Sequence, residues 1–517
     1  MEQSLVIQVT VCVFVVIGVL GRVLYSIWLK PKMLEMQLRR QGLRGNKYRP
    51  LADIKDEAAS LKEAWSKPME LTHEIIPRVI PYDHQMFKRH GKMAFKWAGT
   101  TPKLNIWDLD MMREILQNKS GEILKPRVNP LIRLLVMGVA SLEGEVWAHR
   151  RKLINPAFHM EKLKGMVPAF RTSCINLVKR WEKLMSSEGS CEVDVWPELQ
   201  NLTGDVISRT AFGSSFEEGK QIFELQKEQA ALVIEAARSV YLPGFRFLPT
   251  AKNKRRIFIN SEVKRMLTDI IHKKIDSIKM SGSANDDLLS MLLQSSNLNL
   301  ATEDKNKKNN EITIDDVIQE CKLFYLAGQE TTSVLLTWTL ILLSMHPTWQ
   351  QKAREEVLYT CGKNTPDFES ISHLKIVNMI LHEVLRLYPP VVFLLRYVNK
   401  EIKFGDITLP AGAEALIPVL QVHHDPEIWG EDAEEFNPER FSEGVSKASK
   451  GQNAFFPFGW GPRICIGQTF AMIEAKLALA MILQHFSFEL SPSYAHAPYT
   501  VVTLQPQYGA HLILHQL

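Results

Sequence analysis

Apolar positions run almost unbroken from Leu5 to Gly21, with Gln8 and Thr10 as the polar breaks, and resume from Val23 to Leu29 after Arg22. As helix, residues 5–29 span roughly 38 Å, more than the ~30 Å hydrocarbon core of a bilayer, so one tilted crossing is expected. Arg22 can snorkel, and Tyr25 and Trp28 suit the membrane interface. A short basic amphipathic run, Leu34 to Arg40, is then broken up by Gly42, Gly45 and Pro50, so 30–50 is expected to be a linker on the membrane surface. Strand-like runs at 92–98 and 104–108 flank Gly99 to Pro102 and predict a hairpin. Helical periodicity predicts helices over 110–117, 143–154, 160–184, 197–211, 218–238, 253–279, 314–345, 374–388 and 470–486. Residues 118–141 read as irregular, and 281–310 as a solvated connector. Strand is scarce until the last third and no internal repeat occurs. The expected fold is mainly α with a smaller β region, carrying a single N-terminal transmembrane helix.

Composition narrows the function. The chain has 517 residues, 45% of them hydrophobic, enough for a large core. Its net charge of +5 comes without an arginine-rich or aromatic-interleaved stripe, so nucleic acid is not an expected partner. The six cysteines have no zinc-like spacing, which argues for a reducing compartment. His423-His424 lacks matching ligands, so no zinc site is expected. Glu2 alone is charged before the apolar head, whereas Lys30, Lys32, Arg39, Arg40 and Arg44 follow it. That asymmetry predicts 1–4 in the lumen, 5–29 in the membrane, 30–50 as linker and 51–517 as a cytosolic domain. A cleaved signal peptide would need a basic start and a small-residue cut site, and neither is present.

Two stretches break local rules. In the long predicted helix, Ala327-Gly328-Gln329-Glu330-Thr331-Thr332 puts a glycine, a charge and two β-branched hydroxyls ahead of the nearly all-apolar run 334–343. Such violations mark functional sites, and threonine hydroxyls bonded to the preceding turn can bend a helix. The second stretch is Phe458-Gly459-Trp460-Gly461-Pro462-Arg463-Ile464-Cys465-Ile466-Gly467, just before another helix. A thiolate there is favoured by the helix dipole, the glycines admit a flat object, and Arg463 can meet an anion. A haem would answer all three demands. A dinucleotide loop would not, because Pro462 and Cys465 occupy the turn and the third glycine is missing. Trp147 and Arg151 share one helix face, as do Glu383 and Arg386.

The Phe458–Gly467 loop resembles the haem-thiolate loop of the cytochrome P-450 superfamily at Phe458, Gly459, Arg463, Cys465 and Gly467. The Ala327–Thr332 run resembles its oxygen-activation motif. Trp28 to Lys32, Cys321 to Thr332 and Phe456 to Arg463 further resemble the plant clan 72 (72A-type) membrane-bound enzymes. The resemblance implies a haem-thiolate monooxygenase with haem b held by Cys465 as the metal ligand. Glu330 and Thr331 would be catalytic. Trp147, Arg151, Ala327, Gly328, Arg396, Phe458, Arg463 and Gly467 would bind or border the haem. Glu383, Arg386 and Arg440 would form a structural triad behind it. Leu131, Leu134, Val240, Phe324, Val392, Phe393, Leu395, Val501 and Val502 would line the substrate pocket.

The implied partners are O2, a lipophilic small molecule, the endoplasmic reticulum membrane and an NADPH–cytochrome P-450 reductase, since no nicotinamide or flavin loop is present. Terpenoids (iridoid, triterpenoid or gibberellin-like) are the substrate class the resemblance points to, with an alkaloid, steroid or fatty acid as the alternative. A haem isomerase or dehydratase typically lacks the acid–threonine pair that this chain keeps. A haem carrier would have no use for it, and the CxxCH attachment of c-type haem is absent.

Overall fold

The structure is a computed structural model, and it describes residues 2–126, 129–135, 137–214, 216–238, 244–281, 287–295 and 312–517. Val240 and most of the expected 281–310 connector lie outside the described residues. The chain divides into two compact units.

The first unit joins residues 1–64, 80–127 and 393–418. Helix Glu2–Leu24 runs through a π-helical turn, Tyr25–Leu29, into helix Lys30–Arg40. Residues Val6–Arg40 form one 35-residue run, long and apolar enough to be a candidate membrane span. The 30–50 segment, expected as a linker, is packed into this unit. Pro31, Leu34 and Leu38 are buried, because their i, i+3/i+4 spacing forms an apolar face that finds protein. The Glu35 carboxylate accepts from the Tyr48 backbone N–H at 3.2 Å and pairs with Lys32 at 2.8 Å. Gln41 is bonded to the backbone of Thr408 in both directions, at 3.1 and 2.6 Å.

A six-stranded sheet forms the body of this unit, in the order β1 (Arg44–Gly45), β2 (Ala94–Ala98), β3 (Thr101–Asn105), β9 (Glu414–Ile417), β6 (Leu394–Val398), β4 (Ile123–Leu124). β2 and β3 are the predicted hairpin, paired Phe95↔Leu104 through Ala98↔Thr101, and Gly99 supplies the positive φ of 65° at the turn. β7 (Ile402–Phe404) and β8 (Ile407–Leu409) make a small separate hairpin.

The second unit joins residues 65–79, 128–392 and 419–517. Its centre is helix Ile314–Met345, opened by a full capping box between Thr313 and Asp316. Around it lie helices Val195–Ile207, Lys375–Leu387 and Gln468–His485, each buried along most of its length. β10 (Phe486–Leu490), β13 (His511–Gln516) and β5 (Ser190–Asp194) form one sheet, and β11 (Pro498–Thr500) and β12 (Leu504–Pro506) form a hairpin. The expected connector contains helix Leu288–Ser295, whose leucines 288, 289, 292 and 293 are all buried. Its polar flanks hide that short apolar face from periodicity. Trp338 stacks on Tyr388 at 4.5 Å and donates its indole N–H to the Leu504 carbonyl at 2.8 Å, tying the long helix to β12.

Candidate active site

The cysteine loop is shaped by its own backbone. Gly459 (φ 78°) and Gly461 (φ 71°) take conformations that a side chain would strain. The Gly459 N–H bonds the Phe456 carbonyl, and the Cys465 N–H bonds the Phe458 carbonyl, both at 2.9 Å. Cys465 is exposed, yet protein surrounds its sulfur, so the thiol opens into a recess and not onto the outer surface. Burial pushes that thiol above its ordinary range, opposed by the Gly467 N–H and the Arg151 charge.

Helix Gly144–Ile154 lays its face against this loop. The Arg463 guanidinium sits 4.0 Å over the Trp147 ring, donates to the Leu142 carbonyl at 2.7 Å and pairs with Glu143. Arg151 donates to the Ile464 carbonyl and to Asn155 Oδ1, both at 2.9 Å. Burial lowers the pKa of both arginines. Trp147, Arg151, Arg463 and Cys465 are thus brought together.

Phe158 connects the loop to the long helix. A Cβ on Gly467 would stand 3.9 Å from both Cys465 Sγ and the Phe158 ring. Phe158 in turn stacks on Phe324 at 5.7 Å. One turn on from Phe324, Ala327 is exposed and Thr331 half-buried, in a helix otherwise buried from Val317 to Leu343 apart from Gln319, Gly328 and Gln329. An exposed alanine in the middle of a core helix marks a recess on that face. The Thr331 hydroxyl donates to the Ala327 carbonyl at 2.8 Å, a bond back to the preceding turn.

Glu330 is buried and held from three sides. It accepts from Thr503 Oγ1 at 2.7 Å, from Gln505 Nε2, and from Gln200 Nε2 at 3.4 Å. Gln200 Oε1 accepts from Lys227 at 3.3 Å. Sequence reasoning missed Gln200, Thr503 and Gln505; the available signal was two hydrogen-bonding side chains beside the apolar turn Val501-Val502. Gly328 faces helix Val195–Ile207, and a Cβ there would lie 2.7 Å from Ile207. Close helix packing therefore requires this glycine.

The Glu383–Arg386–Arg440 set is assembled. Arg386 grips Glu383 with two bonds, at 2.8 and 2.7 Å, and both side chains are fully buried. Arg386 also donates to the carbonyls of His423, Ala433 and Glu435. Arg440 stands 3.6 Å from Glu383 and pairs more closely with Asp432, at 2.7 Å. A buried pair needs this degree of bonding to be tolerated.

The pocket candidates separate. Leu131, Phe324 and Val392 are buried, Leu134 and Val501 half-buried, and Val502 exposed. Phe393, Leu395 and Arg396 belong to the first unit, where Arg396 is buried on β6 and donates to the Leu395 carbonyl at 2.9 Å. Buried Lys322 bonds the Leu134 carbonyl at 2.6 Å and Asn260 at 2.9 Å, and burial lowers its pKa to about 8.

Among the described residues no group of three or more His, Cys, Asp or Glu could hold a metal ion. A lone recessed thiol suits a metal whose other ligands arrive with a macrocycle, so the residues present fit a haem. The profile of the family described as Cytochrome P450 matches residues 77–510. This chain belongs to the cytochrome P450 family. It is 57% identical to cytochrome P450 CYP72A616 of Paris polyphylla over 95% of each chain, and 55% identical to CYP72A219 of Panax ginseng over the full length of both. It is 52% identical to the 7-deoxyloganic acid hydroxylase of Catharanthus roseus over 96% of each chain. Retinoic acid-bound cyanobacterial CYP120A1 shares the fold at a TM-score of 0.71, with 23% identity, covering 84% of this chain and 94% of that one. The protein is a P450 monooxygenase, and its family and fold imply a haem with a thiolate ligand.

Proposed function

We propose that this P450 hydroxylates or further oxidises a lipophilic terpenoid, with Cys465 as the thiolate that would hold the haem iron. The observation that carries the reading is the pairing of a recessed thiol with an exposed alanine on the long helix, bridged by Phe158, which lies beside Gly467 of the cysteine loop and stacks on Phe324, one turn before that alanine. The haem, when bound, supplies dioxygen activation and transfer of one oxygen atom. Balance requires that R–H, O2, NADPH and H⁺ give R–OH, H2O and NADP⁺. The chain's part is to deliver protons and exclude water. Glu330 and Thr331 would relay protons to the reaction site; Thr503, Gln505 and Gln200 fix the position of the Glu330 carboxyl. Trp147, Arg151 and Arg463, which cluster at the cysteine loop, would hold the propionates. Electrons arrive from NADPH through a separate reductase. The apolar N-terminal run anchors the chain in the endoplasmic reticulum membrane, with residues 51–517 cytosolic.

The terpenoid assignment is supported by the likeness to a 7-deoxyloganic acid hydroxylase and by the apolar candidates Leu131, Val392, Val501 and Val502. The test is 18O2 labelling with the full-length protein, reductase and NADPH on a terpenoid panel. One 18O atom per hydroxyl supports the proposal. Product labelled from water, or turnover without NADPH, contradicts it.

A further inference from the structure

The β11–β12 turn reaches toward the long helix on one side and toward an exposed cation on the other. On the inner side Thr503 binds Glu330 at 2.7 Å. On the outer side Arg238, which follows helix Phe216–Ala237, donates to the Thr500 carbonyl at 2.8 Å. Its guanidinium lies 4.8 Å over the Trp65 ring, and Trp65 meets Tyr499 edge-on at 5.5 Å. The Trp65 indole N–H is itself tied to the Arg78 carbonyl at 3.0 Å, so the platform under Arg238 is fixed. Thr500 and Thr503 are three residues apart, which limits their separation to about 10 Å. Between them stand Val501 and Val502, half-buried and exposed. A charged, solvent-reaching guanidinium therefore borders an apolar wall within a small molecule's length of the buried acid.

We propose that Arg238 is a specificity residue that binds the carboxylate of a lipophilic acid whose hydrocarbon body lies on Val501 and Val502. The inference rests on the pocket reading above and deepens it from terpenoid to terpenoid acid. A lipophilic ligand seated on the valines strips water from the neighbouring guanidinium. A neutral ligand leaves that cost standing, whereas a carboxylate offsets it with charge-assisted hydrogen bonds. The planar fork of arginine matches a carboxylate in a way that an ammonium does not. The contacts to Trp65 and Thr500 orient the fork in advance of binding.

The test is equilibrium binding to the full-length protein in lipid nanodiscs, read by type I spectral titration and by calorimetry. Iridoid, diterpenoid and triterpenoid acids are each titrated beside their methyl esters, against wild type, Arg238→Gln and Arg238→Lys. An unchanged ferrous–CO band shows that each variant is folded and loaded. Wild type is expected to bind its best acid about tenfold more tightly than the matching ester. R238Q should weaken the acid alone and bring the two together, with R238K in between. Acid affinity in wild type should fall with added salt, and in R238Q it should not. Esters binding as tightly as acids, or R238Q weakening both alike, overturns the role given to Arg238 and leaves the terpenoid reading standing. Failure of every acid and every ester to bind overturns the terpenoid reading, and this inference with it.

Discussion

At the scale of single residues, the site is a set of exceptions to packing rules, each with a measurable cost. Gly328 was legible as an anomaly in a helix, but its cause was not, because Ile207 lies more than a hundred positions away in sequence. Gly328→Ala forces a Cβ to 2.7 Å from Ile207 and should destabilise the protein by about 1–3 kcal/mol in thermal unfolding, with partial rescue by Ile207→Ala. Glu330 and Thr331 were readable from the motif, whereas the residues that orient Glu330 come from β12, its turn and a separate helix. Thr503→Val combined with Gln505→Leu leaves a buried carboxylate short of two donors. This variant should keep substrate binding and NADPH use while diverting electrons to peroxide, lowering product per NADPH several-fold. Unchanged coupling in that assay would remove Thr503 and Gln505 from the proton path.

At the scale of elements, the helices were legible because their apolar faces repeat with helical period. The associations between them were not, since they depend on buried polar contacts without a periodic signature. Arg150 and Glu320 show this: both are buried, bonded at 2.9 Å, and Glu320 also accepts from the Val139 N–H at 3.0 Å. Arg150→Met strands that carboxylate and should cost about 3–5 kcal/mol. The histidine cluster is a second case. His73 contacts Tyr388 at 3.0 Å and His346 at 3.1 Å, while His496 contacts Tyr494 at 2.8 Å and Tyr388 at 3.4 Å. Burial lowers His73 to about 3 and His496 to about 4. The folded pKa lies below the unfolded value, so protons favour the unfolded chain. Stability should therefore be fully present above pH ~6.5 and fall as pH drops toward 4, by about 1.4 kcal/mol per pH unit for each histidine. Thermal melts across this range check the slope, and His73→Gln should flatten it.

At the scale of the whole molecule, the apolar head and the mainly helical body could be read from hydropathy alone. The division into two units could not, because the first gathers segments separated by hundreds of residues. Residues 30–50 also escaped the reading, since an amphipathic helix looks the same whether its apolar face meets lipid or protein. The distinction predicts where truncation is tolerated. Tyr48 bonds the Ile27 carbonyl, and Leu34 and Leu38 are buried. Removal of residues 2–24 should release the protein from membranes with its ferrous–CO band intact. Removal of residues 2–40 should lose the fold, as a collapse of that band. The central claim is that Cys465 supplies the thiolate that holds the haem, and the ferrous–CO difference spectrum of wild type beside Cys465→Ala tests it most directly. The account predicts the red-shifted thiolate Soret band in wild type and its loss in C465A. A wild-type protein without that band, or a C465A protein that keeps it, would contradict the account.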